Sequence, residues 1–237
     1  MATKAVVSVA KGTADLDSND ASGRSASPPR PTRIDGRRLR SERTKQLIIE
    51  AYLALVREKP VVQMPTAAQI AERAGYSVRS IFERFPDLSK LRVAAADYSL
   101  AQAAALAPAR NVDGDREARI RSQVETRAGT CERGTALWRV LVFSAPEDAE
   151  LRQRVRLARE RTVDRFRVMY RPELATLSDR EREHLLIALE AITDHESWAR
   201  MRDQHGLSIE EACSVWIEAI DRLLPPTPGA SDPGASD

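Results

Sequence analysis

Two helix starts stand eleven positions apart, at Thr66 and Ser77, with Gly75 between them. Nothing else in the 237-residue chain restricts its fold as tightly. Thr66-Ala-Ala-Gln69 has the spacing of a capping box: a hydroxyl for a free N–H of the first turn and an amide that reaches back. Ile70, Ala71 and Ala74 follow at helical spacing, and Gly75 offers the left-handed residue that ends a helix. Ser77 caps a second short helix, which Pro86 stops. Two short capped helices joined by a glycine turn make a helix-turn-helix. Ala71 and Ala74 are small enough for the helices to cross closely. Val78, Ile81, Phe82 and Phe85 fall on the apolar side of the second helix. Its start, Ser77, Val78, Arg79 and Ser80, stands where a nucleic-acid groove is reached.

The rest reads as helix, because no segment sustains period-two alternation. A first helix is expected from about Ser41 to Glu58, with Leu47, Ile48, Ala51, Tyr52 and Leu55 on one face. A fourth follows Asp87 and fades near Pro108. Weaker patterns suggest helices from Arg116 to Ala128 and from Thr135 to Phe143. Three further capping boxes, at Ser144-Ala-Pro-Glu147, Ser178-Asp-Arg-Glu181 and Ser208-Ile-Glu-Glu211, open helices toward Tyr170, Gly206 and Leu223. The expectation is an all-α protein of about nine helices. A three-helix N-terminal unit over 37–90 precedes a helical unit over 91–224. A disordered basic extension over 1–36 and a polar tail over 225–237, ending in a doubled PGASD, flank them.

Charge is uneven. The chain carries a formal +2, yet Arg24, Arg30, Arg33, Arg37, Arg38, Arg40, Arg43 and Lys45 face only Asp35 and Glu42. Such a block is either a solvated tail or an arm for a polyanion. Cys131 and Cys213 form no paired motif, so a disulfide framework or thiolate zinc site is not expected, and a cytoplasmic protein fits. No apolar run approaches membrane-spanning length. His184, His195 and His205 have no ligand spacing, and no nucleophile elbow, phosphate loop or dinucleotide fingerprint occurs. Neither catalysis nor a bound metal or cofactor is expected, and each histidine reads as a polar helix-face residue.

The run from Pro65 to Leu91 resembles the DNA-binding unit of TetR-family transcription regulators. Ile70-Ala71, Ala74-Gly75, Ser77, Phe82, Phe85, Pro86-Asp87 and Leu91 carry the likeness, which extends over roughly Arg40 to Tyr98. The resemblance implies a homodimer on near-palindromic double-stranded operator DNA, acting as a repressor released by a small molecule. Three positions depart from the family pattern: Phe82 stands for its usual Tyr, Arg84 for His and Leu88 for Lys. The family uses these for phosphate contacts, so clamping is expected to rely on Arg84, Lys90, Thr66, Arg40 and Arg43. Base edges fall to Ser77, Val78, Arg79 and Ser80, with Arg79 the natural reader of guanine. Arg84 has an alternative, pairing with Glu83 or Glu72.

Large side chains at convergent helical positions suggest an effector site at Tyr98, Trp138, Phe143, Phe166, Met169 and Tyr170, each of which serves equally as core. Leu189, Ile192, Trp216 and Ile220 are expected at the dimer interface. The fourth helix, leaving the recognition helix at Asp87, is the expected lever between the two parts. Two other functions compete: a regulator governed by a protein partner, which the 5% aromatic content favours, and an all-helical carrier or enzyme.

Overall fold

A computed structural model of the chain describes residues 36–58 and 64–229. Helix α1 (Gly36–Glu58), α2 (Ala67–Ala74) and α3 (Val78–Phe82) form an N-terminal bundle. Helices α4 (Leu88–Leu106), α5 (Arg116–Ser144), α6 (Ala149–Met169), α7 (Arg171–Leu174), α8 (Asp179–Ile192), α9 (His195–Ala199) and α10 (Ile209–Leu223) make up the rest. No strand occurs among the described residues, so the class is all-α.

The N-terminal bundle follows its caps. Both halves of the Thr66/Gln69 box are made, a cap worth about 1 kcal/mol. Gly75 has φ +71°, and the N–H groups of Gly75 and Tyr76 return to α2 carbonyls. A Cβ on Gly75 would meet no atom within 4 Å, so the positive φ alone asks for glycine there. Ile48, Ile70, Ile81 and Leu91 are fully buried where α1 to α4 meet.

Four expectations about element boundaries are corrected. The segments 116–128 and 135–143 are one 29-residue helix, α5. The hydroxyls of Thr126, Thr130 and Thr135 donate to carbonyls one turn back within it. Gly134 lets the His195 ring approach, its missing Cβ lying 3.2 Å from Cε1. Tertiary packing thus overrides weak local propensity. Ser144 caps nothing; a 3-10 turn over Ala145–Glu147 follows, and the Asp148 carboxylate caps α6 by accepting from the N–H of Glu150 and Leu151.

The helix expected from Ser178 to Gly206 breaks after Ile192. Asp194 caps α9 through the Ser197 N–H, while Arg127 of α5 donates to the Thr193 carbonyl. The tail expected from 225 starts as docked chain: Arg116 donates to the Pro225 carbonyl at 2.6 Å, and the Thr227 hydroxyl donates to Glu173. Residues 1–35 and 230–237, with their expected disorder, lie outside the described residues.

A second core gathers Ile120, Phe166, Met169, Tyr170, Leu189, Trp198, Trp216 and Ile220. At its edge Glu173 is completely buried, ion-paired with Arg119, itself only 5% exposed. A buried pair adds little net stability, but removal of one partner strands the other charge in a low dielectric. Glu173→Ala should therefore lower the unfolding free energy by about 3–5 kcal/mol. Urea titration checks this, with the exposed Glu218→Ala as a control expected to change it by less than about 0.5 kcal/mol.

Candidate nucleic-acid interface and internal cavity

The start of α3 is open to solvent, and its own cap makes it so. Ser77 Oγ accepts from the Ser80 N–H at 3.1 Å and lies 3.0 Å from Ser80 Oγ. That bond turns the first residues of the helix outward while Ile81 and Phe85 are buried behind them. Val78 is 39% exposed. The Arg79 side chain, 87% exposed, pairs with Glu83, its Nε 3.0 Å from the carboxylate. Its guanidinium holds the Glu83 carboxyl below the usual carboxylate range. An exposed pair of this kind is weak and exchanges readily for a stronger acceptor.

Phe82, expected among inward-facing residues, is 46% exposed. Helix α3 ends at Phe82, so its last turn presents the ring outward beside Arg79. Arg84 is half-buried. Its Nη1 reaches the Ser80 carbonyl at 3.4 Å and Glu83 at 3.5 Å, and its Nε is buried with no hydrogen-bond partner among the described residues. Lys90 lies in the first turn of α4, ion-paired with Glu150 of α6. Any phosphate there competes with a carboxylate 60 positions away in the chain, which no local pattern announces. Thr66 Oγ1 is occupied by the α2 cap at 3.3 Å. Arg40 and Arg43 are exposed along the first turns of α1.

Behind this surface lies a cavity of about 780 Å³, walled by α1, α4, α5 and α6. Of the six residues expected at an effector site, Tyr98 and Trp138 line it. Phe166, Met169 and Tyr170 are fully buried in the second core, and Phe143 is 69% exposed and not among the lining residues. The residues that surround the space on its far side are polar. Gln123, Thr126, Arg127, Thr130, Thr162 and Arg165 face it.

His195 is the residue most misjudged by its sequence context. It is 6% exposed, lines the cavity and stacks on Trp138 with ring centroids 5.0 Å apart. Burial, aided by the Arg127 charge, pushes its pKa down to about 3. Its Nδ1 lies 3.1 Å from Thr135 Oγ1, whose single proton already goes to the Cys131 carbonyl. Nδ1 is therefore the donor, and the Nε2 lone pair is left free to accept. Asp194, its neighbour in sequence, caps α9 instead of pairing with it.

The expected interface residues are also displaced. Trp216, Ile220 and Leu189 are 2%, 0% and 0% exposed inside the protomer, where a second chain cannot reach them. Trp216 packs on Trp198 with centroids 4.8 Å apart. Ile192 is half-buried, and the outward apolar side chains of α8 and α10 include Ile187 and Val215, 58% and 47% exposed. Among the described residues no helix is long and apolar enough to cross a membrane, and no cluster of three His, Cys, Asp or Glu side chains suits a metal ion.

No protein-family model matches the chain, and no curated protein matches it significantly. Solved structures do. A TetR-family transcriptional regulator from Streptomyces coelicolor superposes with a TM-score of 0.65 at 16% identity, over 77% of this chain and 80% of that one. A putative TetR-family regulator from a Rhodococcus species gives 0.61 at 19%, over 77% and 100%. A TetR regulator from Haloarcula marismortui gives 0.57 at 17%, over 77% and 97%. At these identities the likeness is one of fold.

The buried histidine yields a signed pH dependence. Its folded pKa lies below the unfolded value near 6.5, so the unfolded chain binds the proton first and stability falls as pH drops below about 6.5. At pH 5.5 the loss from His195 alone should be about 1.4 kcal/mol. His195→Gln should remove that part of the slope, read from urea titrations at pH 7.5 and 5.5.

Proposed function

We propose that the chain, which has the fold of TetR-family transcriptional regulators, is a DNA-binding regulator that acts as a two-fold dimer, and that a small molecule in the cavity sets its operator affinity. One observation carries this reading. The recognition helix and the cavity share a single rigid element, α4. It is capped by Asp87 directly after α3, and twelve residues beyond that cap it presents Ser99 to the cavity. A protein partner needs no such internal space, which favours the metabolite over the partner-protein reading.

The sorting of contacts follows from exposure. Arg79, Val78 and Phe82 offer the surface that meets base edges, a guanidinium for guanine and apolar groups for a thymine methyl. Arg40 and Arg43 of α1, with Arg84 behind α3, supply charge for phosphates. The α2 N-terminus at Thr66 adds backbone N–H groups. The hydroxyls of Ser77 and Ser80 hold each other and the cap, so they position Arg79 and do not read bases themselves.

The switch is a matter of differential affinity. Helix α4 is fastened to α6 by Ser89 to Asp148, Lys90 to Glu150 and a bidentate Asp97–Arg154 pair at 2.9 and 3.0 Å. On its other side Tyr98 donates to Glu50 and accepts from Gln46 of α1. A ligand wedged among these helices shifts α4 against α1 and α6, and α3 moves with it. Two recognition helices must stand about 34–36 Å apart to enter successive major grooves. A small rotation of α4 therefore weakens the fit. The ligand releases DNA only by as much as it prefers the moved state, and operator DNA weakens ligand binding by the same factor. Release on binding makes the protein a repressor of the genes its operator controls.

Arg79→Ala should cost about 1–3 kcal/mol on operator DNA and relax the base preference at one position in each half-site. Binding selection on randomised duplexes reads both, and an unchanged preference removes Arg79 from the reading set. For the dimer, Ile187 and Val215 take the place of the buried residues. The double variant I187D/V215D should sediment as a folded monomer with weakened operator binding. Trp216→Asp should instead unfold the protomer, because it buries a charge in the second core.

A further inference from the structure

We propose that the cavity takes an amphipathic organic anion, with a carboxylate, sulfonate or phosphate head held by Arg127 and Arg165 and an apolar body lying toward Leu53 and Leu141. This deepens the effector reading above and rests on it for the regulatory role, not for the binding itself.

Charge is the first argument. Seven arginines and two glutamates line the space, an excess of five positive charges. Arg154 is neutralised by Asp97, and Arg159 lies 3.7 Å from Glu190. Arg127 and Arg165 are half-buried, and neither has a carboxylate within 4.0 Å among the described residues. Holding cations out of water without counter-charge is costly. Burial already pulls the Arg165 pKa below the usual guanidinium value. A fold that keeps two such groups beside an open space has a place for an anion.

Orientation is the second argument. Arg165 donates to Gln123 Oε1, to the carbonyls of Ala107 and Pro108, and to Thr126 Oγ1. Arg127 donates to the Thr193 carbonyl at 2.8 Å and to Thr162 Oγ1 at 3.5 Å. All of these acceptors are neutral, so they aim the guanidinium groups and leave their charge intact. Thr126 and Thr162 give their own protons to the carbonyls of Ser122 and Ala158, which fixes both hydroxyls as acceptors for the arginines. Two bonds leave Arg127 with about three of its five N–H donors free. A planar fork with spare donors suits an oxyanion better than a neutral carbonyl.

Polarity along the cavity is the third. Going from Arg127 to Leu141 along α5 covers about 21 Å, and there Leu137, Leu141, Leu53, Ala103 and Trp138 add apolar lining beside the ion-paired Arg154 and Arg159. His195, neutral and stacked on Trp138, adds no charge on the way. The apolar end is walled by α1 and α4, so the body of the ligand lies against the lever and the head against α5 and α6.

The test uses matched pairs: octanoate, dodecanoate, hexadecanoate and naphthaleneacetate, each against its primary amide, titrated by calorimetry into the full chain. At least one carboxylate should bind about tenfold or more tighter than its amide, and added salt should narrow that gap. Arg127→Gln should abolish the preference, so that acid and amide bind this variant alike. Arg156→Gln has the same change in net charge on an exposed side chain outside the cavity, and should keep the preference. Arg127→Lys, charged but without the fork, should retain part of it, which guards against a simple folding defect in the glutamine variant. Equal binding of acids and amides, no binding by either, or an undiminished preference in Arg127→Gln overturns the proposal. Gel shift on operator DNA is the separate arm. A carboxylate that binds through Arg127 yet leaves DNA affinity unchanged upholds the anion site and sinks the effector role.

Discussion

Asp148 is the point on which the two halves of the molecule turn. One carboxylate oxygen accepts from two N–H groups at the start of α6, and the other accepts the Ser89 hydroxyl of α4. The Ser89 bond, with those backbone bonds, holds the Asp148 carboxyl below its usual range. The residue that ends the 3-10 turn after α5 is thus the same one that fixes α4 two residues past its own cap. Lys90–Glu150 and Asp97–Arg154 repeat the fastening farther along. Because α4 leaves α3 without a hinge longer than five residues, fixing α4 fixes α3.

The N-terminal end is stiff for local reasons. Helix α3 has five residues, too few to be stable alone. It persists because Ser77 caps it, Ile81 and Phe85 anchor it on Ile70 and Leu91, and Asp87 begins the next helix at once. Only its first turn and Phe82 remain outside. The cavity end is different in kind. Its far wall is held by side chains bonded across elements: Arg127 to the α8–α9 junction, and Arg165 to α5 and to the chain after α4. Those bonds also break the chain between α8 and α9, which turns His195 inward onto Trp138.

The N-terminal bundle was legible because its information is local. A capping residue, a positive-φ glycine and a proline stop act within one helical turn of themselves, and the Thr66, Gly75 and Ser77 signals all fell where the structure has them. The boxes at Ser178 and Ser208 were equally reliable. The box at Ser144 failed because Asp148, four residues on, accepts two N–H groups and an α4 hydroxyl, a partner that no local pattern announces. The long α5 was hidden for the same reason, since threonines and glycines weaken a helix locally while the bundle supports it.

The sequence by itself determined an all-helical chain and a capped helix-turn-helix with Arg79 at its exposed start. Hydrogen bonds within four residues and helical periodicity suffice for both. Tertiary structure alone decided which apolar faces pack inside the protomer and which line a void. Trp216 and Ile220 lie on the same amphipathic stripe whether that stripe packs inside the protomer or between two of them, and only the neighbouring Trp198 settles it. Likewise Phe166 and Tyr170 have the pattern of any large core residue. Arg127 and Arg165 look like solvated helix charges until α5 and α6 pack with both side chains facing the same space. Burial and cavity walls are properties of several elements at once, and periodicity along one element carries no information about its neighbours.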